Sequence, residues 1–196
     1  GMIGGKAGII VIHMGDGAGR LDPVFEALAR TNIPAKTFHP THMARTEELP
    51  QEGFRLAKLG GYMDITCDLS DPGRMPALLK EARDQGVPME RLTFSSDGQG
   101  SWSSYDGYGH LKEIGVTDVG NMYRQLKYLV IQGKMDLSEA LPFFTSNVAK
   151  ALEMYPRKGC IAPGADADLL LIRPDMTLDT VMAGGKVMMA EGNLKK

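Results

Sequence analysis

The 196-residue chain has few of the features that mark a disulfide-stapled, nucleic-acid-binding or membrane-spanning protein. Its two cysteines, Cys67 and Cys160, are too few for a disulfide scaffold and indicate a reduced, cytoplasmic chain. The 22 basic and 24 acidic side chains leave a net charge of −2, which argues against nucleic acid or an anionic membrane as a partner. No run of residues approaches the roughly 18 apolar positions of a membrane helix. The first residues lack a long apolar segment, so we expect no secretory signal.

Glycine and short apolar runs are what the chain does have. Hydrophobic residues make up 43% and charged residues 23%, which is ordinary for a globular protein. The 24 glycines lie largely in short loops between the apolar runs, a distribution that favours a loop-rich α/β enzyme over a helical bundle. The length allows one domain with a small appendage.

A strand–loop–helix unit recurs four times along the first part of the chain. The first strand is apolar at nearly every position, which is typical of a strand buried on both faces. Strands that alternate with helices in this way predict a parallel sheet. The predicted strands are 8–13, 35–38, 62–67 and 91–95, and their helices are 22–32, 47–59, 75–85 and 118–132.

The rest of the chain departs from this repeat. A long loop is predicted over 99–116, and two more helices over about 136–144 and 147–154. A strand over 167–172 and a hairpin around Gly184-Gly185 follow. We therefore expect an α/β domain over residues 1–157 and a small β segment over 158–196.

Polar side chains recur where the predicted strands end. His13 ends the first strand, His42 follows the second, Thr66 or Asp68 ends the third, and Asp97 ends the fourth. The carboxyl ends of the strands in a βα-repeat open onto one face, so these side chains should converge. Two imidazoles and a carboxylate are a suitable set of ligands for a divalent metal, with zinc the default for nitrogen-rich ligation.

Each of these residues also has a structural interpretation. A histidine at a strand end is often simply hydrogen-bonded, and Ser-Asp-Gly around Asp97 is common turn chemistry. We expect His39, before Pro40, to be structural and His110 to be exposed. Cys67 has no histidine near it in sequence to activate it, so a nucleophilic role is not expected.

Substrate-binding residues are suggested by their positions beside these strand ends. Arg45 lies three residues after His42, and its guanidinium is suited to bidentate binding of a carboxylate. Ser101 and Tyr105 follow Asp97 in the predicted loop, where the alternatives are contact with substrate and a mobile polar loop. The glycine-rich segment 15–19 does not match a dinucleotide-binding fingerprint.

Four segments together resemble the isoaspartyl (β-aspartyl) dipeptidases of the amidohydrolase superfamily. The more specific pair is His-Met-Gly-Asp at 13–16 and Pro-Thr-His-Met-Ala-Arg at 40–45. The other two are 92–98, which contains Asp97, and 163–170, which alone is similar only at the level of the superfamily. The resemblance covers essentially the whole chain but only the C-terminal half of such proteins.

The resemblance implies a fold and an activity. Such proteins are (β/α)₈ barrels of the TIM type with a small β-sandwich and two zinc ions, and they cleave the isopeptide bond of β-aspartyl dipeptides. This chain would then supply about four βα units of the barrel and a strand segment of the sandwich. His13 and His42 would ligate one zinc. Asp97 would ligate the other and move a proton, while Arg45 and Ser101 would hold the substrate's α-carboxylate.

The same resemblance implies what is missing. The chain has no His-x-His motif and no identifiable strand lysine to bridge two metals. We therefore expect the isolated chain to bind zinc weakly, to be inactive, and to self-associate or pair with the missing N-terminal half through open strand edges at 8–13 and 91–95. The alternatives are another amidase or cyclic-amide hydrolase of the superfamily, and a non-catalytic half-barrel that self-associates.

Overall fold

A computed structural model describes residues 4–68 and 70–195. Strand–helix units come first, an antiparallel hairpin interrupts them, and antiparallel strands end the chain. The strands are β1 (Ile10–His13), β2 (Phe38–Thr41), β3 (Met63–Thr66), β4 (Leu92–Ser95), β5 (Ser101–Tyr105), β6 (Leu111–Val116), β7 (Leu169–Ile172), β8 (Leu178–Ala183), β9 (Lys186–Ala190) and β10 (Asn193–Leu194). The α-helices are α1 (Asp22–Arg30), α2 (Leu49–Lys58), α3 (Arg74–Asp84), α4 (Asn121–Ile131), α5 (Leu137–Ala140) and α6 (Ser146–Ala151). Short 3₁₀ helices cover Ala35–Thr37, Met89–Arg91 and Leu141–Phe144.

The first four strands are parallel, as the strand–helix alternation predicts. β1 pairs with β2 and β3 pairs with β4. The two pairs are joined by backbone hydrogen bonds, one from Tyr62 N to Phe38 O (3.3 Å) and one from Met43 N to Asp64 O (3.2 Å). The strands therefore follow one another in space in the order of the sequence.

Proline explains why the ladder between β2 and β3 is interrupted. The carbonyl of Phe38 faces β3, and backbone groups two residues apart in a strand point to the same side. The nitrogen of Pro40 thus also faces β3, but proline has no N–H to donate. The two backbone hydrogen bonds given above lie at the two ends of the β2–β3 contact, whereas a regular parallel ladder would have further bonds between them.

The β2–β4 strands have one apolar face and one polar face. On the apolar face, Met63, Ile65, Leu92 and Phe94 are fully buried among side chains of the helices. Phe94 also stacks on Phe144, with ring centroids 4.9 Å apart. The opposite face carries histidine, threonine, aspartate and serine instead of the apolar residues expected of strands buried on both sides. These polar side chains are His39, Thr41, Asp64, Thr66, Thr93 and Ser95.

Two predicted elements are wrong in detail. The second strand is 38–41, not 35–38, because residues 35–37 form a 3₁₀ turn and Pro40 lies inside the strand. The predicted loop over 99–116 contains the β5–β6 hairpin. Both faces of this hairpin are largely exposed, so its sequence lacks the apolar alternation that would reveal a half-buried strand.

The two predicted strand edges differ from one another. Ile10 and Val11 of β1 are 47% and 52% exposed, so this strand is not buried on both faces in this chain. In contrast, Leu92, Thr93 and Phe94 of β4 are buried, and the side-chain amide of Asn147 donates a hydrogen bond to Leu92 O (2.9 Å). β1 is therefore the exposed side of the parallel strands.

The C-terminal segment is a four-stranded antiparallel sheet in the order β10-β9-β8-β7. Its β8–β9 turn contains Gly184 and Gly185, both at positive φ, as the hairpin prediction requires. Tyr123 of α4 donates a hydrogen bond to Met176 O (3.0 Å), which ties the sheet to the helices. Among the described residues, no helix has both the length and the apolar character needed to cross a bilayer.

Candidate metal centre

Two histidines face one another at the ends of β1 and β2. Nδ1 of His13 lies 3.1 Å from Nε2 of His42, and the ring centroids are 5.2 Å apart. His13 is exposed, whereas His42 is only 9% exposed. His42 adopts a positive φ of 61°, a conformation uncommon for residues other than glycine and one that often marks functional sites. The chain therefore turns sharply after β2 where this imidazole is presented.

The hydroxyl of Thr66 fixes the orientation of the second imidazole. Its Oγ1 lies 2.7 Å from Nδ1 of His42. A neutral histidine that ligates through Nε2 carries its proton on Nδ1, and Thr66 is positioned to accept a hydrogen bond from that N–H. The facing nitrogens of His42 and His13 are then the atoms available to a ligand.

Asp97 completes a group of three potential ligands. One ligand atom each from His13, His42 and Asp97 lies within 4.8 Å of the other two. Asp97 also has a positive φ, of 49°, and a Cβ at Gly100 would come within 2.8 Å of its Oδ1. Only glycine at position 100 therefore permits this close approach of the chain to the carboxylate.

The donor set fits a divalent metal. Two nitrogens each ~2.0–2.1 Å from one tetrahedral zinc lie roughly 3.3 Å apart, close to the 3.1 Å between His13 and His42. A carboxylate on the same side completes three protein ligands, the number typical of a catalytic zinc site. Three residues predicted from three different strand ends are thus brought together.

The charges around His42 act in opposite directions. Burial lowers the pKa of the His42 imidazole below its usual value, and the charge of Asp97 raises the pKa in part. The positive charge of Arg45 lowers the pKa further, which indicates that the guanidinium is near enough to act on the site. The net effect favours the neutral imidazole, the form that binds a metal.

The other candidate substrate residues lie at the edge of this group. Arg45 is exposed, and its backbone N–H closes a turn to His42 O (2.9 Å). Ser101 is the exposed first residue of β5, and the turn that precedes it is closed by the bond from Gly100 N to Asp97 O (2.8 Å). Tyr105 is 61% exposed at the far end of β5.

Asp68, the other candidate end of the third strand, is not a member of the group. Its carboxylate accepts a hydrogen bond from Ser70 N (2.8 Å), which is a local turn contact. The hydroxyl of Thr66, two residues earlier, contacts His42 instead.

The residues expected to have structural roles are found in such positions. His39 is buried, and its Nε2 lies 2.9 Å from Thr93 Oγ1. His110 is exposed and bonds to Asp106 in its own turn. Burial raises the pKa of the Cys67 thiol to about 12, so Cys67 is no nucleophile at neutral pH.

A buried carboxylate beneath the site was missed by the sequence analysis. Asp64 is 6% exposed and accepts hydrogen bonds from Thr41 Oγ1 (2.6 Å), Thr93 Oγ1 (2.7 Å) and Ser95 Oγ (2.5 Å). We call these four residues the carboxylate–hydroxyl cluster. The sequence feature that indicates a polar face here is the strict alternation of apolar and polar residues in 63–66 and 92–95.

A model of the amidohydrolase family matches residues 21–188, which include His42 and Asp97. The chain belongs to the amidohydrolase family. The part of the resemblance that concerns the superfamily is therefore confirmed.

Solved structures and curated proteins give two further similarities. The chain is similar to a β-aspartyl dipeptidase from Fervidobacterium islandicum AW-1, determined in complex with the β-Asp-Leu dipeptide, with a TM-score of 0.90 and 33% identity. That match covers 100% of this chain and 52% of the other, so the chain spans about half the length of that protein. It is also 45% identical over 65 residues to human dihydropyrimidinase-related protein 5, covering 33% of this chain and 11% of the relative.

Another local similarity is to rat dihydropyrimidinase. The two are 42% identical over 48 residues, which cover 24% of this chain and 9% of the relative.

Proposed function

We propose that this chain is the C-terminal half of a zinc-dependent (β/α)₈-barrel hydrolase that cleaves the isopeptide bond of β-aspartyl dipeptides. The observation that carries the proposal is the convergence of His13, His42 and Asp97 at three strand ends. The similarity over the whole chain to an enzyme solved with β-Asp-Leu supports the substrate class.

The proposed roles follow from the chemistry of the side chains. His13 and His42 would hold a zinc ion, and the hydroxyl oxygen of Thr66 would accept a hydrogen bond from Nδ1–H of His42. When bound, zinc makes water more acidic and polarises the scissile carbonyl. Asp97, as general base and then acid, would take a proton from the attacking water and give it to the leaving amine.

Recognition of the substrate is assigned to Arg45 and Ser101. A dipeptide linked through its β-carboxyl keeps a free α-carboxylate, which a guanidinium binds through two parallel hydrogen bonds. Arg45 follows His42 by three residues and its backbone N–H bonds to His42 O (2.9 Å), which supports a position close to the candidate metal centre. The hydroxyl of Ser101, four residues after Asp97, would donate a further hydrogen bond to the same carboxylate.

The complete site is proposed to need more than this chain. The sequence has no His-x-His motif and no identifiable strand lysine to serve as the bridging ligand that the resemblance implies. The exposed β1 strand is the surface where an N-terminal half, or a second copy of the chain, would add its own strand. Three ligands alone would therefore give weak, substoichiometric zinc binding and negligible dipeptidase activity.

A second candidate substrate class is a cyclic amide. The local identity with rat dihydropyrimidinase favours it. A neutral cyclic amide has no carboxylate and would not need Arg45, so the effect of substitutions at this position separates the two classes. A third alternative, a non-catalytic half-barrel, would bind no metal at all.

Titration of the chain with Co²⁺, followed by visible absorption, tests the metal centre directly. We expect a single class of weak sites in the unaltered chain. His13→Ala, His42→Ala and Asp97→Asn should each lower the affinity by at least about 10–100-fold, the cost of losing even an outer-shell partner. His110→Ala is the matched control, because His110 is an exposed histidine that bonds to Asp106 in its own turn and is not one of the three candidate ligands. Equal Co²⁺ affinity in all four variants would refute the proposed metal site.

A further inference from the structure

The carboxylate–hydroxyl cluster lies directly beneath the proposed metal centre. Asp64 belongs to β3, the strand between β2 and β4, and receives hydroxyl hydrogen bonds from both neighbours. Both of its oxygens are used, because Thr93 bonds Oδ1 while Thr41 and Ser95 bond Oδ2. One carboxylate thus fixes the relative position of three strands.

Three members of the cluster lie one or two residues from a residue of the site. Thr41 immediately precedes His42, and Ser95 is two residues before Asp97. Asp64 is itself two residues before Thr66 on the same face of β3, and Thr66 contacts Nδ1 of His42. Asp64 is therefore connected to His42 through Thr41 and Thr66, and to Asp97 through Ser95.

The hydroxyl protons show that the cluster has one preferred arrangement. A hydroxyl can donate only one hydrogen bond, and the hydroxyl of Thr93 donates its hydrogen bond to Asp64. The oxygen of Thr93 must then accept from His39, whose Nε2 is 2.9 Å away. His39 is fixed as the Nε2–H tautomer, and the hydroxyl protons all point to the carboxylate.

The positive φ angles of His42 and Asp97 make such support necessary. Uncommon backbone conformations persist only where the surrounding structure holds them. The cluster is the buried polar structure next to both turns. Its hydrogen bonds are charge-assisted, which makes them stronger than hydrogen bonds between neutral groups.

We infer that Asp64 is a positioning residue of the metal centre, which sets the separation of His42 and Asp97 by holding Thr41 and Ser95. This inference rests on the proposed metal-binding function. It predicts that the Asp64 carboxylate controls the geometry of the ligands as well as the stability of the sheet.

The test uses the 196-residue chain with the isosteric substitution Asp64→Asn. An amide cannot accept at both of its ends, so at least one hydroxyl of the cluster must turn away or lose its partner. We expect Co²⁺ affinity to fall about 10–100-fold, with a changed visible spectrum. In the metal-free chain, the imidazole ¹⁵N resonances of His42 should shift.

Ile65→Val is the matched control, because Ile65 is the next residue of β3 and is fully buried on the opposite face. This variant should lose stability without changing the cobalt spectrum or the His42 resonances. If Asp64→Asn does not fold, Ser95→Ala removes one donor and should give a smaller change of the same kind.

The outcomes separate this inference from the proposed function. Unchanged Co²⁺ affinity and unchanged His42 resonances in Asp64→Asn would overturn it, as would equal changes in Ile65→Val. If the unaltered chain takes up no Co²⁺, the metal-binding proposal fails. The imidazole resonances of the metal-free variants then decide the role of Asp64.

Discussion

Nδ1 of His13 lies 3.1 Å from Nε2 of His42, although the two residues are 29 positions apart in the chain. The parallel pairing of β1 with β2 brings them together, because it sets His13 opposite Thr41, the residue before His42. The contact depends on strand register, and a shift by one residue would turn His13 to the other face.

Substitution of Arg45 should reduce binding of β-aspartyl dipeptides in a complete version of the protein. Arg45→Ala should weaken binding by on the order of 2–4 kcal/mol if the guanidinium pairs with a desolvated carboxylate. Arg45→Lys should recover only part of this, since an ammonium is a point charge without the guanidinium's fork of donors. Steady-state kinetics on β-Asp-Leu measure both effects, and unchanged kinetics in both variants would exclude the carboxylate contact.

Gly159 should tolerate no side chain. It has a φ of 82°, and a Cβ there would lie 2.7 Å from Ala149 Cβ and 2.9 Å from Ser146 Cα. Gly164 has a similar φ of 86° with nothing near its Cβ position, so Gly164→Ala isolates the cost of the conformation. Urea unfolding should show Gly159→Ala to be less stable than Gly164→Ala by about 1–3 kcal/mol, the usual cost of overpacking. Equal stabilities would mean that helix α6 can move away.

The exposed β1 strand predicts association of the chain with itself. Ile10 and Val11 present apolar side chains on a strand with an unpaired edge. We expect at least a dimer in sedimentation velocity at micromolar concentration. Val11→Lys should shift the distribution towards monomer, because a charge on an edge strand opposes pairing. A compact, stable monomer of the unaltered chain would contradict this prediction.

His39 should make the chain less stable in mild acid. Burial lowers the pKa of its imidazole below the ordinary value of 6.5, and Asp64 offsets only part of this effect. Well above pH 6.5 the imidazole is neutral in both states. As the pH falls below 6.5, the unfolded chain takes up the proton first, so the free energy of unfolding decreases until the folded pKa is passed.

His39→Gln provides the comparison for this titration. A glutamine amide can still donate to Thr93 Oγ1 but does not titrate. The difference in unfolding free energy between the two chains should change with pH below 6.5 in favour of the variant. A difference that is constant with pH would show that His39 does not contribute.

The strand–helix order and the converging strand ends could be predicted because each depends on local pattern. His13, His42 and Asp97 each follow a short strand, and parallel strands end at one edge. The roles of these residues and of Arg45, the two-domain division at 157 and the cytoplasmic location stay predictions.

The parts that were not predicted depend on contacts distant in sequence or on weak local signals. Pro40 lacks an N–H and argues against a strand, so the predicted strand ends at residue 38, whereas pairing with β1 holds Pro40 inside β2. The serine-rich β5 has no apolar alternation because the hairpin is exposed on both faces. The role of Asp64 could not be predicted from local pattern, since its three hydroxyl partners come from two other strands.

Hydrolysis of β-Asp-Leu with excess zinc is the measurement that tests the central claim most directly. It compares the 196-residue chain alone, the chain joined to an N-terminal half that supplies the absent histidine pair and lysine, and the joined protein with His13→Ala. We expect turnover only in the joined protein, and its loss in the joined protein with His13→Ala. Clear turnover by the chain alone that disappears in His13→Ala, or no zinc-dependent turnover in the joined protein, would contradict it.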